Sequence, residues 1–119
     1  MRTYIHVSDV VSAFEIILLK GVIGKIYNIG SENEYSNIDI AKTIISYMKP
    51  NLGNELYDLD YTSFIEYIKD RDFNDKRYHI DSKNLKDLGW IEKMDFSKGL
   101  QDTIKWYLNV GLKEKYWEI

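Results

Sequence analysis

The sequence predicts a small α/β fold, a lobe with a few short strands and about four helices. Runs rich in β-branched and aromatic residues alternate along the chain with apolar residues spaced three or four positions apart. These are the patterns of strands and of amphipathic helices. Hydrophobic residues make up 45% of the 119 residues and aromatic residues 14%, so the chain can bury a core and is not disordered. We predict one lobe over residues 1–110 and a tail over 111–119.

Strands are predicted where β-branched and aromatic residues cluster, at residues 3–7, 25–29, 64–68 and, very briefly, 78–80. The second run does not alternate regularly between polar and apolar residues, which favours a strand buried on both faces. Residues 31–35 are polar and predict a loop, and residues 51–62 predict a longer one.

The first two predicted helices are bounded by recognisable capping and stop residues. The first, at about 9–20, follows Ser8 as N-cap and stops before Gly21. The second follows Ser36 and ends before Pro50, because the residue before a proline avoids the helical conformation.

Two further helices are predicted near the end of the chain. A short one follows Ser82 and closes at Gly89, and the last begins after Asp95. Three large aromatic residues near these helices are predicted to pack in the core: Trp90, Trp106 and Tyr107.

Composition excludes several classes of protein. The net charge of −3 and the pI near 5.4 do not suit a nucleic-acid or anionic-membrane partner. The chain has no cysteine, so it forms no disulfide and no thiolate site. The first 20 residues do not match a signal peptide, and the longest apolar run, 16–19, is too short to span a bilayer. We therefore expect a soluble, cytoplasmic protein.

Residues 69–78 hold two of the three arginines, Arg71 and Arg77, in a chain with 13 lysines. Arginine offers a planar fork of donors that binds phosphate or carboxylate in a bidentate way, which lysine cannot do. The cations of this segment alternate with aspartates. The pattern predicts a structured loop in which ion pairs use some of the donor groups and the other donors bind a ligand. The alternative is a solvated charged loop with weak ion pairs.

No complete set of catalytic residues is present. The chain contains no P-loop and no Gly-x-Gly-x-x-Gly motif, and no tyrosine is followed four residues later by lysine. The two histidines, His6 and His79, do not have the spacing of metal ligands, and His6 is more typical of a structural residue. The residues alone therefore predict a ligand-binding lobe at most.

Six short motifs follow one another along the chain. They are Arg2-x-Tyr4-Ile5-x-Val7-x-Asp9, Tyr27-Asn28-Ile29-Gly30, Asn37-Ile38, Asp70-Arg71-x-x-Asn74-Asp75-x-Arg77-Tyr78, Leu88-Gly89-Trp90 and Trp106-Tyr107. In this order they resemble the carboxyl-terminal third of nucleotide-sugar 4,6-dehydratases that act on dTDP-glucose or UDP-glucose, a family of the extended short-chain dehydrogenase/reductase superfamily. The resemblance covers nearly the whole chain, and its most specific part is the Asp-Arg segment with the Leu-Gly-Trp and Trp-Tyr that follow.

The resemblance implies that the Rossmann domain, with its NAD loop and catalytic residues, is absent from this chain. NAD would serve the full-length family, and this chain alone would bind none. Met1 falls immediately before the matching arginine, so the chain resembles a truncated or split gene product or an excised domain. Its implied partners are a nucleotide-sugar substrate and a separate Rossmann half.

The resemblance also implies a substrate site. Arg2 and Arg71 would contact the diphosphate or neighbouring nucleotide groups, and Asn37 would hydrogen-bond the substrate. Asp70 and Asn74 would line the same pocket. Asparagine at position 74, where many bacterial members have histidine, is typical of eukaryotic and UDP-glucose-using members, so the base stays open between thymine and uracil.

Alternatives remain open for the chain and for single residues. The chain could be a stand-alone nucleotide-sugar-binding module or the corresponding part of a related epimerase or decarboxylase. It could also be a degraded gene product or an interaction partner. Asn37 could be a plain helix cap, and Arg77 could pair with an aspartate instead of a substrate.

Overall fold

The computed structural model describes residues 1–51, 59–69, 72–73 and 80–111. They contain four α-helices and one two-stranded sheet, which is compatible with the predicted α/β class. The elements are β1 Arg2–Thr3, α1 Val7–Lys20, β2 Glu34–Tyr35, α2 Asn37–Met48, α3 Lys83–Lys86 and α4 Phe96–Trp106. Two 3-10 turns, Lys49–Asn51 and Tyr61–Phe64, and a π-helical turn, Tyr107–Gly111, accompany them.

The chain divides into two compact units. The first comprises Met1–Ser36 with Asp75–Phe96, and the second comprises Asn37–Asn74 with Ser97–Ile119. Each is described here by itself, and the division into a lobe over 1–110 and a tail stays a prediction.

Helix α1 of the first unit begins two residues before its predicted start. His6 is the N-cap: its Nδ1 accepts a hydrogen bond from the backbone N–H of Ser8 at 3.2 Å and lies 2.7 Å from the Ser8 hydroxyl. The prediction of Ser8 as N-cap is therefore wrong, and His6 has the structural role expected of it. Because Val7 already belongs to α1, the predicted strand over 3–7 shrinks to Arg2–Thr3.

The sheet of the first unit pairs β1 with β2 in antiparallel register, with Arg2 opposite Tyr35 and Thr3 opposite Glu34. The sequence predicted a loop where β2 lies. Residues 25–29 form no strand, although their composition favours one, since β propensity takes effect only where a neighbouring strand supplies hydrogen bonds.

The core of the first unit joins α1 to α3. Ala13, Leu85 and Trp90 are buried together. Four partly buried isoleucines pack against them: Ile5, Ile16, Ile17 and Ile29. The predicted short helix and the burial of Trp90 are both confirmed.

The ends of α3 differ in their chemistry. The side chain of Asp81, not that of Ser82, accepts the hydrogen bond from the backbone N–H of Lys83, at 2.8 Å. The chain leaves the helix at Gly89 with a φ of 96°, a conformation that side chains with a Cβ disfavour. A hydrogen bond to Asp87 on the exposed face raises the pKa of Lys83.

The second unit contains α2 and most of α4. Helix α2 ends at Met48, and Pro50 lies in the 3-10 turn that follows, as predicted. Ile104 is buried, whereas Trp106 and Tyr107 are 45% and 47% exposed, so the prediction that these two aromatic residues are core is wrong. Residues 64–68 form no strand, because the 3-10 turn Tyr61–Phe64 occupies the start of the run.

Among the described residues, no helix is both long and apolar enough to cross a membrane. Helix α1 has the greatest length of the helices named above, 14 residues, and a bilayer span needs about 20.

Candidate functional site

Arg2 lies on β1 and is partly buried. Its Nη1 donates a hydrogen bond to the carbonyl oxygen of Met1 at 2.9 Å. The strand that holds Arg2 is followed by an aromatic group in which Tyr35 stacks on Phe96 at 3.9 Å between ring centroids and Tyr4 meets Phe96 edge-on at 6.2 Å. This packing holds Tyr4, two residues after Arg2, and Tyr35, which lies opposite Arg2 in the sheet.

Asn37 is the first residue of α2 and is exposed to solvent. This position agrees with the reading of Asn37 as a residue that starts a helix, and it leaves the predicted contact with a substrate as a prediction. Asn37 belongs to the second compact unit and Arg2 to the first.

The other three predicted site residues, Asp70, Arg71 and Asn74, lie outside the described residues. Most of the arginine-containing segment, and the brief strand predicted at 78–80, fall there too. Of the five predicted site residues, the structure describes two, Arg2 and Asn37. The site as a whole therefore stays a prediction.

Asp9 is a buried polar residue of the first unit that makes hydrogen bonds to a remote segment of the chain. It is 3% exposed, and its two carboxylate oxygens accept hydrogen bonds from the backbone N–H groups of Lys93 and Met94, each at 3.0 Å. The Trp90 indole N–H lies 3.2 Å from the Asp9 carbonyl oxygen and 3.0 Å from the Ser12 hydroxyl. Asp9 thus links helix α1 to Lys93 and Met94, more than 80 positions later in the sequence.

This arrangement gives Asp9 a structural role. Both carboxylate oxygens already accept backbone hydrogen bonds in a buried place, so the group is poorly placed to take a proton from a ligand. Asp9 is part of the motif that carries the family resemblance, but the sequence assigned it no function. Its partners are remote in sequence, and no local pattern could have revealed them.

Two grooves in the first unit could hold a small molecule. One, of about 470 Å³, contains an ion pair between Lys86 and Glu32 and is lined by Gly30, Glu32, Asn33, Lys86, Trp90, Ile91 and Glu92. The other, of about 430 Å³, lies against α1 and is more apolar; Ser12, Ile16, Leu19 and Gly89 are among its lining residues. Arg2 lines neither groove.

A third cavity, of about 320 Å³, belongs to the second unit. Tyr47, Gln101, Ile104, Lys105, Leu108 and Asn109 line it. The Gln101 amide donates a hydrogen bond to the Tyr47 hydroxyl at 2.8 Å, which links α2 to α4. Asn37 does not line this cavity.

Within the described residues, no group of three or more histidine, cysteine, aspartate or glutamate residues could hold a metal ion.

The family comparison covers most of the chain. Residues 1–103 match the family model described as GDP-mannose 4,6 dehydratase. The chain therefore belongs to the family of nucleotide-sugar 4,6-dehydratases, and its motifs are consistent with the carboxyl-terminal part of that family.

Individual relatives bear names of the same kind. The chain is 38% identical to the dTDP-D-glucose 4,6-dehydratase of Dictyostelium discoideum, over 98% of this chain and 32% of that protein. It is 36% identical to the dTDP-glucose 4,6-dehydratase of Escherichia coli, over 99% of this chain and 32% of that protein. It is 39% identical to a trifunctional UDP-glucose 4,6-dehydratase, epimerase and reductase of Arabidopsis thaliana, over 90% of this chain and 15% of that protein.

The chain spans about a third of the length of the dTDP-glucose dehydratases it matches. Relatives named for dTDP-glucose and for UDP-glucose match it about equally well, at 36–39% identity. The choice between thymine and uracil thus remains open.

Proposed function

We propose that this chain is the substrate-binding part of an NAD-dependent dTDP-glucose or UDP-glucose 4,6-dehydratase and is inactive by itself. One observation carries the proposal: the family match extends over residues 1–103, although the sequence lacks the glycine-rich loop and the Tyr-x-x-x-Lys pair. The chain would supply binding and orientation, which contribute to catalysis by holding the reacting atoms in place.

The described residues do not fit a bound dinucleotide. A dinucleotide pyrophosphate is held where a glycine-rich turn leads from a strand into a helix. Helix α1 is entered through Tyr4, Ile5 and His6, and α2 through Ser36, with no glycine in either turn. We therefore assign NAD to the part of the enzyme that this chain does not span.

The proposed contribution of this chain is recognition of the nucleotide diphosphate. Arg2 and Arg71 carry forked guanidinium groups, which bind two phosphate oxygens at once. Asn37 offers an amide that both donates and accepts hydrogen bonds, and Asp70 and Asn74 would complete the polar lining. The position of Arg2 supports this role, because Arg2 lies on a paired strand opposite Tyr35, whose ring stacks on Phe96, and a backbone held in this way loses less entropy on binding.

We expect the isolated chain to catalyse no dehydration. The proton and hydride steps need the residues and cofactor that we assign elsewhere. The test is incubation with NAD and either dTDP-glucose or UDP-glucose, followed by the alkaline absorbance of the 4-keto product. Turnover above a blank without protein would contradict the assignment of catalysis to another part of the enzyme.

We expect Arg71→Lys to weaken nucleotide-sugar binding while preserving charge. Lysine presents a point charge and cannot span two phosphate oxygens, so the loss is about 1.5–3 kcal/mol, or roughly tenfold or more in affinity. Calorimetry with UDP-glucose and dTDP-glucose measures this loss of affinity. It is carried out on this chain and on a complete enzyme that also contains the part this chain does not span.

Arg77→Lys is the matched control for this prediction. If Arg77 is structural, its substitution lowers the melting temperature more than the affinity. An Arg71→Lys variant that binds like the wild type but melts earlier would make Arg71 a structural ion-pair residue. Binding of neither sugar nucleotide by any form would favour the degraded or interaction-only alternative.

A further inference from the structure

Phe96 contacts two tyrosines that belong to the two-stranded sheet and its immediate continuation. Its ring stacks on that of Tyr35, with 3.9 Å between the ring centroids and 23° between the ring planes. It also meets the ring of Tyr4 edge-on, with 6.2 Å between the centroids. Tyr35 lies on β2, and Tyr4 directly follows β1. The side chain of Phe96 therefore connects the two strands, in addition to the backbone pairing between them.

The strand pair depends on such side-chain contacts because it is small. Strands β1 and β2 have two residues each, and an isolated pair of strands is at best marginally stable in water. Aromatic pairs in stacked or edge-on geometry contribute stability beyond the area that they bury. The two ring contacts of Phe96 are therefore a substantial part of what holds β1 beside β2.

The backbone just before Phe96 is anchored independently of the sheet. The N–H groups of Lys93 and Met94 donate hydrogen bonds to the buried carboxylate of Asp9, each at 3.0 Å. Asp9 lies on α1, and the same helix supplies Ala13 to the core of the first unit. Phe96 is thus attached to this core through Met94, two positions earlier, and holds the strand pair in a fixed place beside it.

We propose that Phe96 is a positioning residue for Arg2 in the recognition of the nucleotide sugar. Arg2 lies opposite Tyr35 in the register of the sheet, so the stack of Tyr35 on Phe96 fixes the strand from which Arg2 reaches its ligand. This inference rests on the proposed function, in which Arg2 binds the diphosphate. It adds a residue more than 90 positions away in the sequence that acts through Arg2 and not by touching the ligand.

The expected effect on affinity follows from the population of the paired strands. The apparent affinity of a ligand falls in proportion to the fraction of the protein that is in the binding-competent state. That state is here the one in which β1 pairs with β2 and Arg2 stands opposite Tyr35. Loss of the aromatic stack on Phe96 should reduce this fraction, and with it the affinity, about fivefold.

The test compares Phe96→Leu, Arg2→Ala and the double variant that carries both. Phe96→Tyr tests rescue, because tyrosine keeps the ring, whereas leucine is apolar but cannot stack. Phe64→Leu is the matched control: Phe64 is also partly buried, but it belongs to the second unit and forms no ring contact with another described residue. The variants are made in this chain and in a chimera in which it replaces the matched segment of the E. coli dTDP-glucose 4,6-dehydratase.

Calorimetry with dTDP-glucose and UDP-glucose should show about fivefold weaker binding by Phe96→Leu and near wild-type binding by Phe96→Tyr and Phe64→Leu. The double variant should bind within about twofold of Arg2→Ala, because the position of β1 matters little once the guanidinium is gone. In the chimera, Phe96→Leu should raise KM and leave kcat nearly unchanged. Hydrogen exchange should accelerate at the amides of β1 and β2 and not at those of α1.

Three outcomes would overturn the inference. Losses of affinity that multiply in the double variant would show that Phe96 does not act through Arg2. An equal loss in Phe64→Leu would reduce the effect to general destabilisation, and unchanged binding by Phe96→Leu would remove it altogether. If Phe96→Leu does not fold, Tyr35→Leu removes the same stack from the other ring, and the same comparison with Arg2→Ala decides the question.

The single variants separate failure of this inference from failure of the proposed function. If Arg2→Ala weakens binding and Phe96→Leu does not, the positioning role is wrong and the proposed function stands. If Arg2→Ala binds like the wild type, Arg2 is not a ligand-binding residue, and the positioning role falls with it. A wild-type chimera that binds neither sugar nucleotide would overturn both.

Discussion

Trp90→Ala is expected to destabilise the first unit by about 4 kcal/mol, because replacing a buried tryptophan by alanine typically costs about 3–5 kcal/mol. Trp90 is 4% exposed and shares the core cluster with Ala13 and Leu85. The substitution opens a cavity between α1 and α3 and removes the indole N–H from the Asp9 carbonyl and the Ser12 hydroxyl. Urea unfolding followed by far-UV circular dichroism measures the loss.

Two variants separate the contributions of packing and hydrogen bonding. Trp90→Phe keeps most of the ring and removes the N–H, so it should cost about 1 kcal/mol for the hydrogen bonds, with a further contribution from the smaller side chain. Trp106→Ala removes a tryptophan that is 45% exposed and should cost much less than Trp90→Ala. Equal losses for Trp90→Ala and Trp106→Ala would contradict the central role of Trp90.

The helices could be predicted from the sequence because their signals are local. The apolar spacing along α1 and α2, Pro50 after α2 and Gly89 after α3 all lie within a few residues of the elements they define. The start of α1 was misplaced because a histidine cap is less common than a serine cap, and Ser8 stood two residues further on.

The strands could not be predicted from composition because pairing is not local. Residues 25–29 and 64–68 have the β-branched and aromatic content of strands but form none, whereas β2 lies in a run that predicted a loop. A strand forms where a partner backbone is available, and β2 is positioned by β1, more than 30 residues earlier.

One part of the candidate site could be predicted from the sequence and another could not. The arginines could be recognised as candidate phosphate ligands, because bidentate hydrogen bonding is a property of the guanidinium group itself. Asp9 was not assigned a role, since an aspartate in the first turn of a helix is explained equally well by the helix dipole. Its hydrogen bonds to Lys93 and Met94 depend on tertiary structure.

Asp9→Ala should destabilise the first unit by about 3 kcal/mol, nearly as much as the loss of Trp90. The substitution leaves the buried N–H groups of Lys93 and Met94 without their acceptor, and each such group costs about 1–3 kcal/mol. Asp9→Asn retains one acceptor oxygen and should lie between the wild type and Asp9→Ala.

Asp87→Ala is the matched control, because the Asp87 side chain forms an exposed ion pair with Lys83 on α3, with side chains 55% and 73% exposed. Its effect should be within about 1 kcal/mol. Native-state hydrogen exchange gives a local readout: the amides of Lys93 and Met94 should exchange faster in Asp9→Ala than in Asp87→Ala. If Asp9→Ala unfolds at the same urea concentration as Asp87→Ala but loses affinity for nucleotide sugars, Asp9 is a ligand-binding residue. Its two backbone hydrogen bonds would then contribute little to the stability of the fold.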